Sequence, residues 1–176
     1  MGVRVLGFAK PDKLAIVLGS DVDDATARLA ALEQAGLVSE TKAGMKLTAD
    51  APKELERLIL AEGARTSDDF NACYERFKTI DPLVKRASVT SQDDFDAGVD
   101  QLLGLHDKAK GCVRKMSRCV LRYQPYRDRL DAAIARIIEG DKASFTGSRF
   151  PPDSYHQAWW ELHTDLVTTL GVEKDT

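Results

Sequence analysis

Residues 18–51 read LGSDVDDATARLAALEQAGLVSETKAGMKLTADA, and a change of period inside this stretch decides the fold. Ala25, Leu29 and Leu32 recur at helical spacing. Ser20 stands where a helix cap is expected, with Asp23 three residues on as its capping-box partner, and Gly36 closes the run. The alanines at 27, 30 and 31 let this helix approach its neighbours closely. After AGLV the helical period disappears, and Gly44 reads as a tight turn between short strands at 37–40 and 45–48. Upstream, an apolar segment at 3–8 leads to Pro11, which suits the first turn of a helix through Lys13 to Leu18, with Gly19 as its stop. Two helices joined by a tight turn and followed by a hairpin give the order of a winged helix-turn-helix.

The leucine positions, the Ala-Gly-Leu-Val exit from the helix and the Gly-x-x-Leu-Thr strand resemble the winged helix-turn-helix module of MarR-like regulators and related bacterial families, over about the first fifty-five residues. The chain also resembles actinobacterial proteins, read as regulators, in which such a module precedes a helical domain ending in a Ser-Tyr-His…Trp-x-Glu-Leu-His segment. Here that segment is Ser154, Tyr155, His156, Trp159 or Trp160, Glu161, Leu162 and His163. The resemblance implies a mainly α protein: an N-terminal winged helix-turn-helix with a two-stranded wing, then a C-terminal helical bundle. It divides the chain into a winged-helix domain at 1–51, a connecting helix at 52–65 and a bundle at 66–176. It further implies transcription regulation, DNA as a partner and a homodimer.

The charge pattern pulls against a DNA reader. Lys and Arg number six within residues 1–50, against seven Asp and Glu. Asp21, Asp23 and Asp24 open the reading helix, where they favour the positive end of its dipole. A helix entering a groove instead needs donors for phosphates and bases. Thr26, Arg28, Lys42 and Lys46 are the candidate DNA contacts. The basic part of the chain lies elsewhere: between 108 and 129 there are eight cations against the single acid Asp128. Lys108, Lys110, Arg114, Lys115, Arg118 and Arg122 therefore form either a solvated face or a wall that binds an anion or a partner protein.

The remainder reads as helices. Pro52 opens one that ends at Gly63. Thr66 or Ser67 caps the next, which carries Phe70, Cys73, Tyr74, Phe77 and Ile80 on one face, with Pro82 as its end or a kink. Ser91 with Asp94 reads as a capping box for a long run to about Leu121, whose stripe includes Leu102, His106, Val113 and Met116. Pro125 starts another helix, with Tyr126, Leu130, Ala133, Ile134, Ile137 and Ile138 facing inward, and Gly140 stops it. Asp153 reads as the cap of the last helix. That helix puts Tyr155, Trp159, Leu162 and Leu166 on one stripe and His156, Trp160, His163 and Val167 on the stripe beside it. The first stripe suits a core. The chemistry of the second is more than packing requires, so His106, Arg149, Tyr155, His156, Trp159, Trp160 and His163 are the candidate lining of a ligand pocket.

Other classes find little support. The chain has 176 residues, 43% of them hydrophobic and 30% charged, with a net charge of −3, so nothing in the overall balance draws it to nucleic acid or acidic membranes. No apolar run reaches membrane length and the first residues lack a signal peptide's apolar core, which makes the cytoplasm the expected compartment. Cys73, Cys112 and Cys119 lack metal-ligand spacing and read as small core residues. His156 and His163 lie two helical turns apart, so no metal site is expected even with His106, Glu161 or Asp165 nearby. Without a phosphate loop, a dinucleotide fingerprint or an oriented nucleophile, neither catalytic residues nor a cofactor are expected. Two functions stand: a regulator that binds DNA and dimerises or senses a small effector through its bundle, or an adaptor that docks a cytoplasmic protein.

Overall fold

The computed structural model describes residues 1–145 and 153–172. The protein is mainly α, with an N-terminal winged helix-turn-helix bearing a two-stranded wing and a larger C-terminal helical bundle. The first unit comprises α1 (Gly2–Leu6), α2 (Pro11–Leu18), α3 (Val22–Gln34), β1 (Val38–Thr41) and β2 (Gly44–Leu47). β1 and β2 pair antiparallel, with Val38 opposite Leu47 and Glu40 opposite Met45. An isolated bridge adds to the two-stranded sheet. Ala9 bridges Met45, each N–H donating to the other's carbonyl at 2.8 Å. The sequence pattern missed this pairing, because one bridging residue carries no alternation to detect.

Gly44 fits this crowded point for a steric reason: its φ is 128°, and a Cβ there would stand 2.8 Å from the Ala9 carbonyl oxygen. The cap of α3 is Asp21 rather than Ser20, its carboxylate accepting from the Asp24 N–H at 2.7 Å. An aspartate also brings negative charge to the positive helix end, which a serine does not. Such a cap contributes about 1 kcal/mol.

Next comes α4 (Ala51–Ala61), and a short 3-10 turn at Ala64–Thr66 leads into the bundle. α5 (Asp68–Asp93) and α6 (Phe95–Cys119) form a long antiparallel hairpin, and α7 (Gln124–Ile138) and α8 (Tyr155–Leu170) pack against it. α5 runs unbroken through Pro82; the buried residues on either side, Phe77, Ile80, Val84 and Ala87, belong to one core cluster that holds the helix across the missing N–H. Because α5 continues to Asp93, Ser91 lies inside it and donates to the Ser88 carbonyl, and Asp94 alone caps α6. Ser154, fully buried, caps α8 in place of Asp153, accepting from the Gln157 N–H at 3.2 Å. Ile138 is 63% exposed at the end of α7 instead of facing inward.

Buried apolar side chains gather in two clusters. One lies within the winged helix around Leu14, Ala25, Leu29 and Val38, and the other runs through the bundle around Phe70, Phe77, Met116, Leu130 and Leu162. α1 touches α8 and α2 touches α7. Gly19, in the left-handed region at φ 64°, would place a Cβ 3.3 Å from Pro125 Cβ, so the approach of α2 to α7 suits a residue without a side chain. Among the described residues no helix is long and apolar enough to cross a membrane.

Candidate functional site

The winged helix leaves the outer face of α3 uncovered, with Asp23, Thr26, Ala27 and Ala30 exposed. A groove of about 380 Å³ separates α3 from the wing, and it is lined by Lys10 and Lys42 but also by Glu33 and Glu40. Of the four DNA-contact candidates, Thr26 and Lys42 line this groove together, and Arg28 and Lys46 do not. Thr26 lines the groove, but its hydroxyl donates to the Val22 carbonyl at 2.7 Å. Arg28 lies two positions on, which turns it to another side of the helix. There its Nε donates to Asp24 at 2.9 Å. Lys42 stands exposed at the wing turn, and Lys46 is exposed with its Nζ 5.8 Å from the Phe8 ring centroid.

In the bundle, α8 supplies most of the candidate pocket residues, and their polar contacts fall into separate groups. Tyr155 and Trp159 are buried in one stack, with ring centroids 6.4 Å apart and Phe77 4.8 Å from Trp159. Tyr155 meets His106, whose Nδ1 lies 3.3 Å from the phenol oxygen and whose Nε2 lies 3.1 Å from Asp131. Trp159 donates its indole N–H to Asp81 at 2.8 Å; Lys85 approaches the same carboxylate at 2.9 Å and His163 at 3.6 Å. His156 lies apart, 3.3 Å from the Ser88 hydroxyl, and Trp160 is 44% exposed. Arg149 falls outside the described residues. The histidines thus sit at three stations along the bundle, each matched to a different partner.

Burial lowers the pKa of His106 and of His156 from the usual histidine range, with Asp131 partly opposing the shift at His106. In both cases the unfolded chain binds protons more readily, so their contribution to stability is complete above about pH 6.5 and is lost as pH falls below it. The melting temperature should therefore drop between about pH 7 and pH 5. His156→Gln, which keeps a polar side chain without the titration, should flatten that slope in thermal melts across the same range. An unchanged slope would remove His156 from the account.

The basic stretch divides once its partners are known. Lys110 pairs with Asp131 at 2.8 Å, and Arg122 turns inward to Glu62 and Asp165. Lys108, Arg114, Lys115 and Arg118 stay exposed and make no ion pair among the described residues. Lys115 and Arg118 meet Arg76 of α5 and Asp69 at a cleft of about 340 Å³ beside Cys119. Cys112 and Cys73 are buried. The Cys112 thiol donates to the Cys73 carbonyl at 3.0 Å, and burial pushes its pKa up to about 12, which makes it a poor nucleophile.

Sequence reasoning missed the most highly charged part of the core. Asp165 is buried on α8 and accepts from Tyr123 at 2.9 Å, Tyr126 at 3.2 Å and Thr169 at 3.0 Å, with Arg122 completing the set. Burial, followed by the charge on Asp165, raises both phenol pKa values well above the tyrosine range, so both remain proton donors. One turn earlier Glu161 lies 2.7 Å from Arg129 of α7, both buried, and also accepts from Gln157 at 2.8 Å. A signal was available: Glu161 and Asp165 are four apart and flank Leu162 and Leu166, which places acids beside the core stripe. Among the described residues no three His, Cys, Asp or Glu side chains gather as a metal ion would require. Comparison of the chain with protein-family models, with curated proteins and with solved structures finds no match.

Proposed function

We propose that this chain is a transcription regulator of the MarR-like type, in which residues 1–51 bind duplex DNA, 52–65 connect, and 66–176 serve dimerisation and effector sensing. One observation carries the reading: the order α1, bridging Ala9, α2, α3 and wing, tied by the Ala9–Met45 pair, leaves the outer face of α3 and the wing turn open on one side. Small exposed side chains at Thr26, Ala27 and Ala30 permit close approach to a groove floor, and Lys42 and Lys46 offer phosphate contacts from the wing. With so few cations per copy, two copies acting together are needed for useful affinity.

Fluorescence anisotropy with a labelled duplex tests this. Binding should appear at low ionic strength and weaken with salt, and the double variant Lys42→Ala, Lys46→Ala should reduce the log–log salt slope by about 0.9 for each phosphate contact removed. Absence of binding at low salt would end the regulator reading. A second reading then takes its place, favoured by Asp23, Asp24 and Glu33 along α3: an adaptor whose winged helix docks a basic protein surface.

A further inference from the structure

The first turns of α5 and the last turns of α6 lie side by side in the antiparallel hairpin. Helical spacing sets Asp69, Ala72, Cys73 and Arg76 on one face of α5, and Lys115 and Arg118 on one face of α6. Between these faces lies the cleft of about 340 Å³, inside the range of about 300–1,000 Å³ typical of small-molecule sites. Ala72 is exposed at its edge and ends at Cβ, so α5 leaves the space open. The charges around it converge. Burial raises the pKa of the Cys112 thiol, and Arg76 and Lys115 both oppose that rise, which puts two cations from different helices near one buried sulfur.

Arg76, Lys115 and Arg118 make no ion pair among the described residues, and neither does Asp69, the one carboxylate of the cleft. Three cations against one carboxylate leave two positive charges in a single concavity. Like charges held together repel, and a bound anion relieves that repulsion. We infer that the cleft between α5 and α6 binds a phosphate monoester. Such a group carries about 1.5 to 2 negative charges near neutral pH and offers three acceptor oxygens, which match both the surplus charge and the three cationic side chains. Two of these are guanidinium forks, whose geometry suits phosphate. A carboxylate would leave half of the surplus unmatched. A nucleic-acid strand brings one charge per phosphate, and Asp69 would repel its neighbouring phosphates. The site lies on α5 and α6 and needs no DNA contact from the winged helix, so it stands apart from the regulator reading.

The probe is phenyl phosphate, titrated with the full chain at about pH 7.5 and about 0.15 M salt, where charges beyond about 8 Å are screened, and followed by saturation transfer to its ring protons. It should bind about tenfold more tightly than phenyl sulfate, which keeps the ring and the tetrahedral head but has one negative charge. Arg76→Ala and Arg118→Ala should each weaken it by about tenfold or more. Ala72→Phe, which fills the cleft and leaves every charge in place, should do the same, with far-UV circular dichroism unchanged in all three. Lys108→Ala is the control. It lies two helical turns from Lys115, about 10 Å along α6, and should change binding by less than about twofold. A phosphoserine peptide carries the same group from another source: affinity equal to that of phenyl phosphate assigns the cleft to small esters, and affinity about tenfold higher assigns it to a phosphorylated protein segment. No saturation transfer up to about 10 mM phenyl phosphate, equal affinity for the sulfate, or undiminished binding in the folded Ala72→Phe variant overturns the proposal. So does a loss in Lys108→Ala as large as in Arg76→Ala, because a diffuse basic face, open to duplex DNA, would then be the binder.

Discussion

Replacing Asp165 with alanine should destabilise the protein by about 3–5 kcal/mol, the range for removing one partner from a buried charge pair. Asp165 is 2% exposed and is the common acceptor for four donors: Tyr123, Tyr126, Thr169 and Arg122. Its loss leaves two buried phenols without their carboxylate and Arg122 with Glu62 as its remaining carboxylate among the described residues. The Arg122 guanidinium also lies 4.6 Å from the Tyr123 ring centroid, so the side chain is held in place and cannot swing out to water without losing that contact. Asp165→Asn keeps an acceptor but removes the charge, and should fall between wild type and alanine. Glu62→Ala is the informative control. Its side chain is 32% exposed, so removing it should cost only about 0–1 kcal/mol. Urea denaturation with an unchanged m-value measures all three. A loss below about 1 kcal/mol for Asp165→Ala would mean that water enters the site and solvates the stranded donors.

The winged helix could be read from the sequence because its signals are local. The helical period, its loss after AGLV and the turn glycine all lie within residues 18–51, and the Ala9 bridge escaped because a lone bridging residue has no pattern of its own. In the bundle the inward stripes of α5, α6 and α8 were equally legible, since burial follows helical spacing. Helix starts at Ser20, Ser91 and Asp153 were misplaced by one to three residues because several capping side chains stand in a row at each boundary, and only the backbone N–H that each one accepts decides between them. The polar core was hidden for a different reason. Whether Arg122 and Arg129 face solvent or a buried carboxylate depends on how α7 packs against α8, which no spacing within α7 reports. The described histidines of the candidate pocket take separate partners for the same reason: His106 meets Asp131 of α7, whereas His156 and His163 meet Ser88 and Asp81, two turns apart on α5.

The Arg129–Glu161 pair should show the opposite behaviour when its members are changed together. Arg129 is 8% exposed and Glu161 1%, and their closest atoms are 2.7 Å apart. Arg129→Met leaves a buried carboxylate with Gln157 as its remaining partner among the described residues, and Glu161→Leu leaves a buried guanidinium over the Tyr126 ring, 5.8 Å from its centroid. Each single change should cost about 3–5 kcal/mol. The double variant should recover most of that loss, because the attraction between two buried charges only roughly repays their removal from water, and two apolar side chains of similar volume need no such repayment. A double-mutant cycle by urea denaturation gives the coupling directly, and a coupling below about 0.5 kcal/mol would place the two side chains in separate, hydrated environments. If the double variant is as stable as wild type, the pair's contribution lies in arrangement: a charge on α7 that matches one position of α8 penalises any other register between the two helices. The readout for that role is cooperativity. The double variant should then unfold with a broader transition and a lower m-value, its midpoint rising in proportion at equal stability, the signature of a native state that has lost its single packing.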